Sequence, residues 1–259
     1  MAWDGQTLDG AWTTEPARAD AVVDLCGLSV GTWPWTAGTR ARLRSTRLEP
    51  RAALVDAIRG LDAAVRPRTL VGISGTDGYV GSDATPAGEG TPLADTFLGR
   101  LCADWEAAAL PAADLGVRLV IARSAVVVAP GAPVLARLSL PVRLFVGGRI
   151  GSGRQWFSWV HIDDWVRAIR RLLDDQGLDG PVNIASPGAL HQAEVARALG
   201  RVFHRPSLVP TPAVAVRLVL GGQADLVLGS RRVAPARLQA AGFDFAWTDF
   251  EAAVRDVTR

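Results

Sequence analysis

The chain has 259 residues, 49% of them hydrophobic, with 27 glycines and 16 prolines, which is enough apolar matter for a sizeable core and too much for a disordered chain. The formal charge is only +2, and the basic residues are scattered apart from Arg170-Arg171 and Arg231-Arg232, which argues against a nucleic-acid partner. All 28 basic side chains are arginine, so Schiff-base chemistry, a P-loop lysine and a lysine that tunes a tyrosine are excluded.

Met1 to Gly10 lacks the basic start and apolar stretch of a leader peptide. The longest apolar stretches, near 117–129 and 214–220, are interrupted by Arg118, Arg123 and Arg217 and fall short of a membrane span. Cys26 and Cys102 lie in apolar segments, as reduced thiols do. The expectation is a cytoplasmic protein with no membrane partner.

In chain order, Ala21 to Cys26 reads as a buried strand ending at Gly27. A tryptophan-rich loop follows, and Glu49-Pro50 opens a helix with Leu54, Ile58, Leu61 and Val65 on one face, stopped by Pro67. Thr69 to Ser74 reads as a second strand. Residues 75–92 form a long polar loop, and Leu93, Phe97, Leu101, Trp105 and Ala108 repeat at helical spacing before a third strand, Val117 to Ala122. Trp156 to Ile162 alternates like a strand, and Asp163-Asp164 caps a helix with Val166, Ile169 and Leu173 inward. Pro181 to Ala185 is a further strand, 192–203 a helix, and the Pro-rich stretch from Ser207 to Pro212 leads into an apolar helical tail. Strands joined by helical crossovers predict a doubly wound parallel sheet over 1–206, with a small C-terminal helical subdomain over 207–259.

Ligands of open parallel sheets bind beyond the carboxyl ends of the strands. Three such ends are visible, at Cys26-Gly27, Ser74-Gly75 and Arg123-Ser124, and the middle one runs into the loop holding Tyr79, the only tyrosine. Ser74 and Gly75 suit a plain turn of the chain equally well. Ser74 is no hydrolase nucleophile elbow, because the second glycine is misplaced in Gly72-Ile73-Ser74-Gly75-Thr76. The stretch Gly147 to Arg154 has the glycines of a phosphate cradle, yet a strand follows it instead of a helix N-terminus, which favours a loop over anion contact by Arg149 or Arg154. His161, Asp163 and Asp164 read as capping and packing residues, with no metal ligand set at zinc spacing.

Several of these segments together resemble the atypical short-chain dehydrogenase/reductase family of NAD(P)-dependent epimerases. The resemblance is carried by Val23-Asp24-Leu25-Cys26-Gly27, by Ile73-Ser74-Gly75 with Gly78-Tyr79-Val80-Gly81, by Phe97 through Trp105-Glu106, and most distinctively by Gly147 through Trp156 continued by Ser158 to Asp164. Arg232 to Leu238 with Ala241-Gly242-Phe243 resembles the family's small C-terminal module of unknown role. Family members begin with a strand and a glycine-rich turn, and Met1-Ala2-Trp3-Asp4 corresponds to a point past that unit, as if roughly 40 to 50 residues of the Rossmann half were missing.

The resemblance implies NADP or NAD as cofactor, a small-molecule substrate, Ser74 as an orienting hydroxyl, Tyr79 as acid, and Cys26, Gly27, Ser74 and Arg123 beside the cofactor. The chain departs from the family at Asp24 for asparagine, Leu28 for glutamate, Pro34-Trp35 for an arginine-tryptophan pair, and Tyr79-Val80 for a tyrosine pair. The superfamily pairs its tyrosine with a lysine four residues later; position 83, four after Tyr79, is Asp83, and the helix where the pair normally lies offers Phe97 and Leu101. Two readings follow, an NAD(P)-dependent oxidoreductase or a non-catalytic scaffold that has lost the dinucleotide. An edge left uncovered by the missing strands predicts self-association.

Overall fold

A computed structural model describes residues 5–81 and 84–259 of the chain. The expectations attached to Met1–Asp4 and to Asp83 lie outside these residues.

The apolar runs beginning at 21, 69 and 117 become neighbouring strands of one parallel sheet. β1 (Ala21–Asp24) leads through α1 (Ala37–Arg59) to β2 (Thr69–Gly75), and β2 through α2 (Phe97–Ala107) and α3 (Pro111–Asp114) to β3 (Arg118–Ser124). The chain continues through β4 (Val126–Val128), α4 (Pro133–Arg143), β5 (Trp156–Phe157), β6 (Trp159–His161) and α5 (Ile162–Asp174) to β7 (Gly180–Ile184). The sheet order is β1-β2-β3-β7, all parallel, with Val71 aligned to Val23 and Val120, and Ala122 to Val182.

Alternate residues point to opposite faces of a strand, and here both faces are covered. Leu70, Leu119 and Ile121 meet Leu54, Val55 and Ile58 of α1 and Ala112 of α3. Val71, Val120 and Ala122 face the other way, onto Ala168, Ile169 and Leu172 of α5. Full burial of such side chains stabilises by about 1.5–3 kcal/mol each, so this two-sided core dominates the sheet's stability.

β8 (Leu190–His191) precedes α6 (Gln192–Val202), followed by α7 (Ala213–Leu220), α8 (Asp225–Leu228), α9 (Ala236–Ala240) and α10 (Phe250–Val257). Leu238 and Phe245 complete the α5 side of the core. Phe250, Ala253 and Val254 of α10 pack with Trp159, Val195 and Leu199. The C-terminal residues therefore share their cores with the sheet and α6.

Three local expectations change. α1 starts at Ala37, not at Glu49, because the Thr36 hydroxyl accepts a hydrogen bond from the Thr39 amide at 3.1 Å, and Pro50 is carried inside the helix. A proline inside a helix costs about 3 kcal/mol, offset here by burial of Leu43, Pro50, Ala53 and Leu54 on the same helix. The run from Trp156 to Ile162 splits at Ser158, whose hydroxyl donates to the Arg231 carbonyl at 2.8 Å and accepts from the Val233 amide at 2.9 Å. Val166 is 54% exposed, and Ala168, Ile169 and Leu172 form the inner face of α5.

Candidate functional site

Three of the expected residues, Ser74, Tyr79 and Arg123, meet at the carboxyl ends of β2 and β3. Ser74 Oγ donates to Glu106 Oε1 at 2.7 Å. Arg123 grips the same carboxylate with Nε at 2.9 Å and Nη2 at 2.7 Å, and its Nη1 donates to the Tyr79 hydroxyl at 2.9 Å and to the Glu89 carbonyl at 3.1 Å. The Tyr79 hydroxyl in turn donates to Asn183 Oδ1 at 2.7 Å. Asn183 Nδ2 reaches the Ala234 carbonyl at 2.9 Å, which ties the C-terminal region to the sheet.

Ser74, Tyr79 and Arg123 are thus assembled as a buried network rather than as groups facing an opening. Tyr79 is 1% exposed, and burial first of all raises its pKa, with Arg123 and Asn183 pulling it back. The expected acid role of Tyr79 conflicts with this placement, since its proton is already directed at Asn183. The expected cofactor contact of Arg123 conflicts likewise, because the protein itself occupies the guanidinium.

At the end of β1, Asp24 Oδ2 accepts from Arg51 Nε at 2.6 Å with both side chains buried, and Asp24 Oδ1 accepts the Cys26 amide at 2.9 Å. Arg51 also donates to the carbonyls of Ile73 and Trp105, so Asp24, which stands for the family's asparagine, anchors an arginine beneath the sheet end. The Cys26 thiol is pushed up to about 11 by burial and then by Asp24, and both cysteines are free. Gly27 has φ +152°, and a Cβ there would press on the Arg47 side chain at 3.1 Å.

The glycines at 147–154 serve packing. A Cβ on Gly148 would overlap the Val209 backbone, Thr211 N donates to the Arg149 carbonyl at 2.9 Å, and Gly151 N donates to the Thr211 carbonyl at 2.8 Å. His161 Nδ1 caps α5 by accepting from Asp163 N at 3.2 Å, and Asp164 accepts the amides of Ala246 and Trp247 at 3.1 and 2.8 Å. Among the described residues no group of three or more His, Cys, Asp or Glu side chains is placed to hold a metal.

Two residues that the sequence did not single out, Thr76 and Asp77, line an opening. A cavity of about 40 Å³ lies just past the end of β2, lined by Thr76, Asp77, Gln155, Ser158 and Arg231 together with Trp156 and Phe157. Thr76 and Asp77 sit on the single 3₁₀ turn that follows β2. Among the described residues neither side chain makes a hydrogen bond within the protein, whereas Gln155 and Ser158 are engaged with the backbone at Ile150, Val227 and Arg231. Arg231 donates from Nη1 to the Asp225 carbonyl at 3.1 Å, and its buried Nε has no hydrogen-bond partner among the described residues. Desolvation raises the Asp77 pKa, Arg231 opposes this, and Asp225 adds to it. The available sequence signal was a Thr-Asp pair directly after a buried strand.

A dinucleotide needs a reactive end and a pyrophosphate cradle. The opening at Thr76 and Asp77 lies where the reactive end would approach, but its volume of about 40 Å³ is that of a few waters and less than a nicotinamide ring occupies. Gly72, Gly75 and Gly78 have the Gly-x-x-Gly-x-x-Gly spacing of a cradle, but the space beside Gly72 is filled by the Arg51 guanidinium and that beside Gly78 by Cys102. An extended Tyr79 follows instead of a helix N-terminus. Among the described residues these glycines therefore supply packing space and no pyrophosphate donors.

Residues 5–185 match the model of the NAD dependent epimerase/dehydratase family, and residues 211–257 match a domain of unknown function, DUF1731. The chain is 38% identical over 229 residues to the epimerase family protein ML0860 of Mycobacterium leprae, covering 87% of this chain and 73% of that protein. It is 32% identical over 249 residues to the chloroplastic epimerase family protein SDR39U1 homolog of Arabidopsis thaliana, covering 96% and 71%. Among solved structures, human epimerase family protein SDR39U1 with NADPH superposes with a TM-score of 0.85 at 30% identity, over 95% of this chain and 85% of that one. UDP-glucose 4-epimerase of Thermotoga maritima, at 17% identity and a TM-score of 0.73 over 93% and 77%, shares the fold.

Proposed function

The chain belongs to the NAD dependent epimerase/dehydratase family, and from that premise we propose that it is an NADP(H)- or NAD(H)-dependent oxidoreductase acting on a small molecule. The observation that carries this reading is the cavity past β2, where a parallel sheet of this kind receives the reacting groups of its ligands, with the Thr76 and Asp77 side chains making no hydrogen bond among the described residues. Hydride transfer is the chemistry a bound dinucleotide would supply. Thr76 orients the substrate oxygen by its hydroxyl, Trp156 and Phe157 limit water at the opening, and Arg231 balances negative charge there. Ser74, Tyr79 and Arg123 act beneath the site by holding the ends of β2 and β3 in place. Two free thiols favour a cytoplasmic setting, and no helix among the described residues is long and apolar enough to cross a membrane.

A scaffold without cofactor is the second reading, favoured by the filled spaces beside Gly72 and Gly78. The 30% identity to a protein solved with NADPH, over nearly the whole chain, supports the oxidoreductase instead. Titration with NADPH, followed by nicotinamide fluorescence and by the melting temperature, separates them. Saturable binding is expected, with a stabilisation of about 2.7 kcal/mol at a hundredfold excess over Kd. Absence of any binding overturns the oxidoreductase and leaves the scaffold.

A further inference from the structure

A second cavity, of about 480 Å³, lies between α4 and the C-terminal end of α10. That volume falls within the roughly 300–1,000 Å³ typical of small-molecule sites. Its floor follows from the helical period of α4. Leu135 and Ser139 are buried one turn apart, and Leu135 shares a core with Val257 of α10. The Ser139 hydroxyl is satisfied by the Ala136 carbonyl at 3.2 Å. Ala132 and Ala136, also one turn apart, have side chains too short to fill the space above that floor. Leu140 stands 55% exposed at the rim, and Leu144, one turn on, is 61% exposed, so an apolar path continues outward from the cavity.

The charge around this apolar space has one sign. Arg137, Arg143 and Arg259 line the cavity, and among the described residues no carboxylate does. The sequence has no Asp or Glu between Asp114 and Asp163, so α4 and both its flanks carry positive charge alone. Arg259 faces Asp256 at 3.8 Å, and Arg137 donates from Nη1 to the Gly31 carbonyl at 2.8 Å. Arg143 lies over the Phe203 ring at 4.3 Å and makes no hydrogen bond among the described residues. A guanidinium stacked on a ring by its face keeps the N–H donors along its edge, which is the fork that matches a carboxylate. A second copy of this chain seated here about a two-fold axis would bring these same arginines together, so charge disfavours it as the occupant.

We propose that this cavity binds a small amphiphilic carboxylate, with its apolar body over Leu135, Ala136 and Leu140 and its carboxylate on the edge of Arg143, with Arg137 adding positive charge. The site shares no lining residue with the cavity past β2 and does not depend on the oxidoreductase reading. Burial of the apolar body supplies the driving force, and the arginines select the anion over the matching alcohol.

The test is calorimetric titration of the full chain with decanoate, with decanol and acetate as probes that lack the charge or the apolar chain. Saturable binding of one decanoate is expected, with decanol and acetate weaker by about tenfold or more. Arg143→Leu keeps an apolar cover on Phe203 and removes the fork, and is expected to weaken decanoate about tenfold or more. Leu140→Glu, at an exposed position that the fold tolerates, sets a carboxylate beside the bound one and is expected to do the same, which keeps the test open should Arg143→Leu fail to fold. Arg170→Leu, at an exposed arginine on α5, is expected to leave the affinity unchanged. The proposal is overturned if decanoate does not saturate, if decanol binds as tightly, or if acetate binds as tightly and shows an adventitious ion only. An affinity unmoved by Leu140→Glu places the ligand elsewhere and overturns it too. Sedimentation with phosphatidylglycerol vesicles in the absence of decanoate binding would assign this face to a lipid surface instead.

Discussion

Arg123 holds Glu106 by two parallel hydrogen bonds, from Nε at 2.9 Å and Nη2 at 2.7 Å, with the two side chains 7% and 13% exposed. Removing one partner of a buried pair leaves an uncompensated charge, which costs about 3–5 kcal/mol. Arg123→Leu is expected to lower stability by that amount in urea unfolding. A loss below about 1 kcal/mol would show that water reaches Glu106 and that the pair is not a buried anchor.

Tyr79→Phe deletes a hydroxyl that both donates to Asn183 and accepts from Arg123. The expected cost is about 1–3 kcal/mol of stability, with NADPH affinity unchanged. A variant as stable as the parent but unable to turn over a ketone that the parent reduces would restore Tyr79 as the acid.

Asp77 carries a pH signature with a definite sign. Its pKa is raised in the folded protein above the ordinary 3.8, chiefly by desolvation. The unfolded chain therefore releases this proton first as pH rises, and the contribution of Asp77 to stability is full below about 3.8 and is lost as pH climbs through the folded value. Asp77→Asn is expected to gain stability relative to the parent across that window. Parallel stability curves for the two proteins, measured by urea midpoints from pH 3 upward, would mean that Asp77 is solvated in the fold.

Gly148 lies against the Val209 backbone, so Gly148→Ala forces loop and chain apart. The melting temperature is expected to fall clearly. Arg149→Ala, whose guanidinium donates to the carbonyls of Gly151 and Ser152 at 3.4 Å, is expected to leave both stability and NADPH affinity in place. A Kd weakened tenfold or more by Arg149→Ala would return this loop to the phosphate-binding role.

β1 pairs only with β2 among the described residues, so its outer backbone groups have no strand beside them in this sheet. We propose that this edge supports self-association. Size-exclusion chromatography with light scattering at micromolar concentration is expected to show a dimer or larger species, and a monodisperse monomer would count against edge pairing.

The strands were readable because a parallel sheet covered on both faces demands continuous apolar runs, and 21–26, 69–74 and 117–122 are such runs. Helix boundaries were less readable. A Pro50 that reads as a start is carried inside α1, because burial along the helix outweighs one lost hydrogen bond. The family was legible in local motifs such as Gly147 to Asp164, which persist as letters whatever surrounds them.

The sequence by itself determined the alternation of strands and helices, the absence of lysine and hence of a lysine-tuned tyrosine, and the gathering of Cys26, Ser74 and Arg123 at one end of a sheet. Only the tertiary structure decided which of those groups are free to meet a ligand. Ser74, Tyr79 and Arg123 find partners on α2, on β7 and in the 89 loop, and Thr76 and Asp77, just after β2, find none among the described residues. Hydrogen-bond satisfaction depends on contacts between residues far apart in the chain, such as Tyr79 with Asn183, and no local pattern records them.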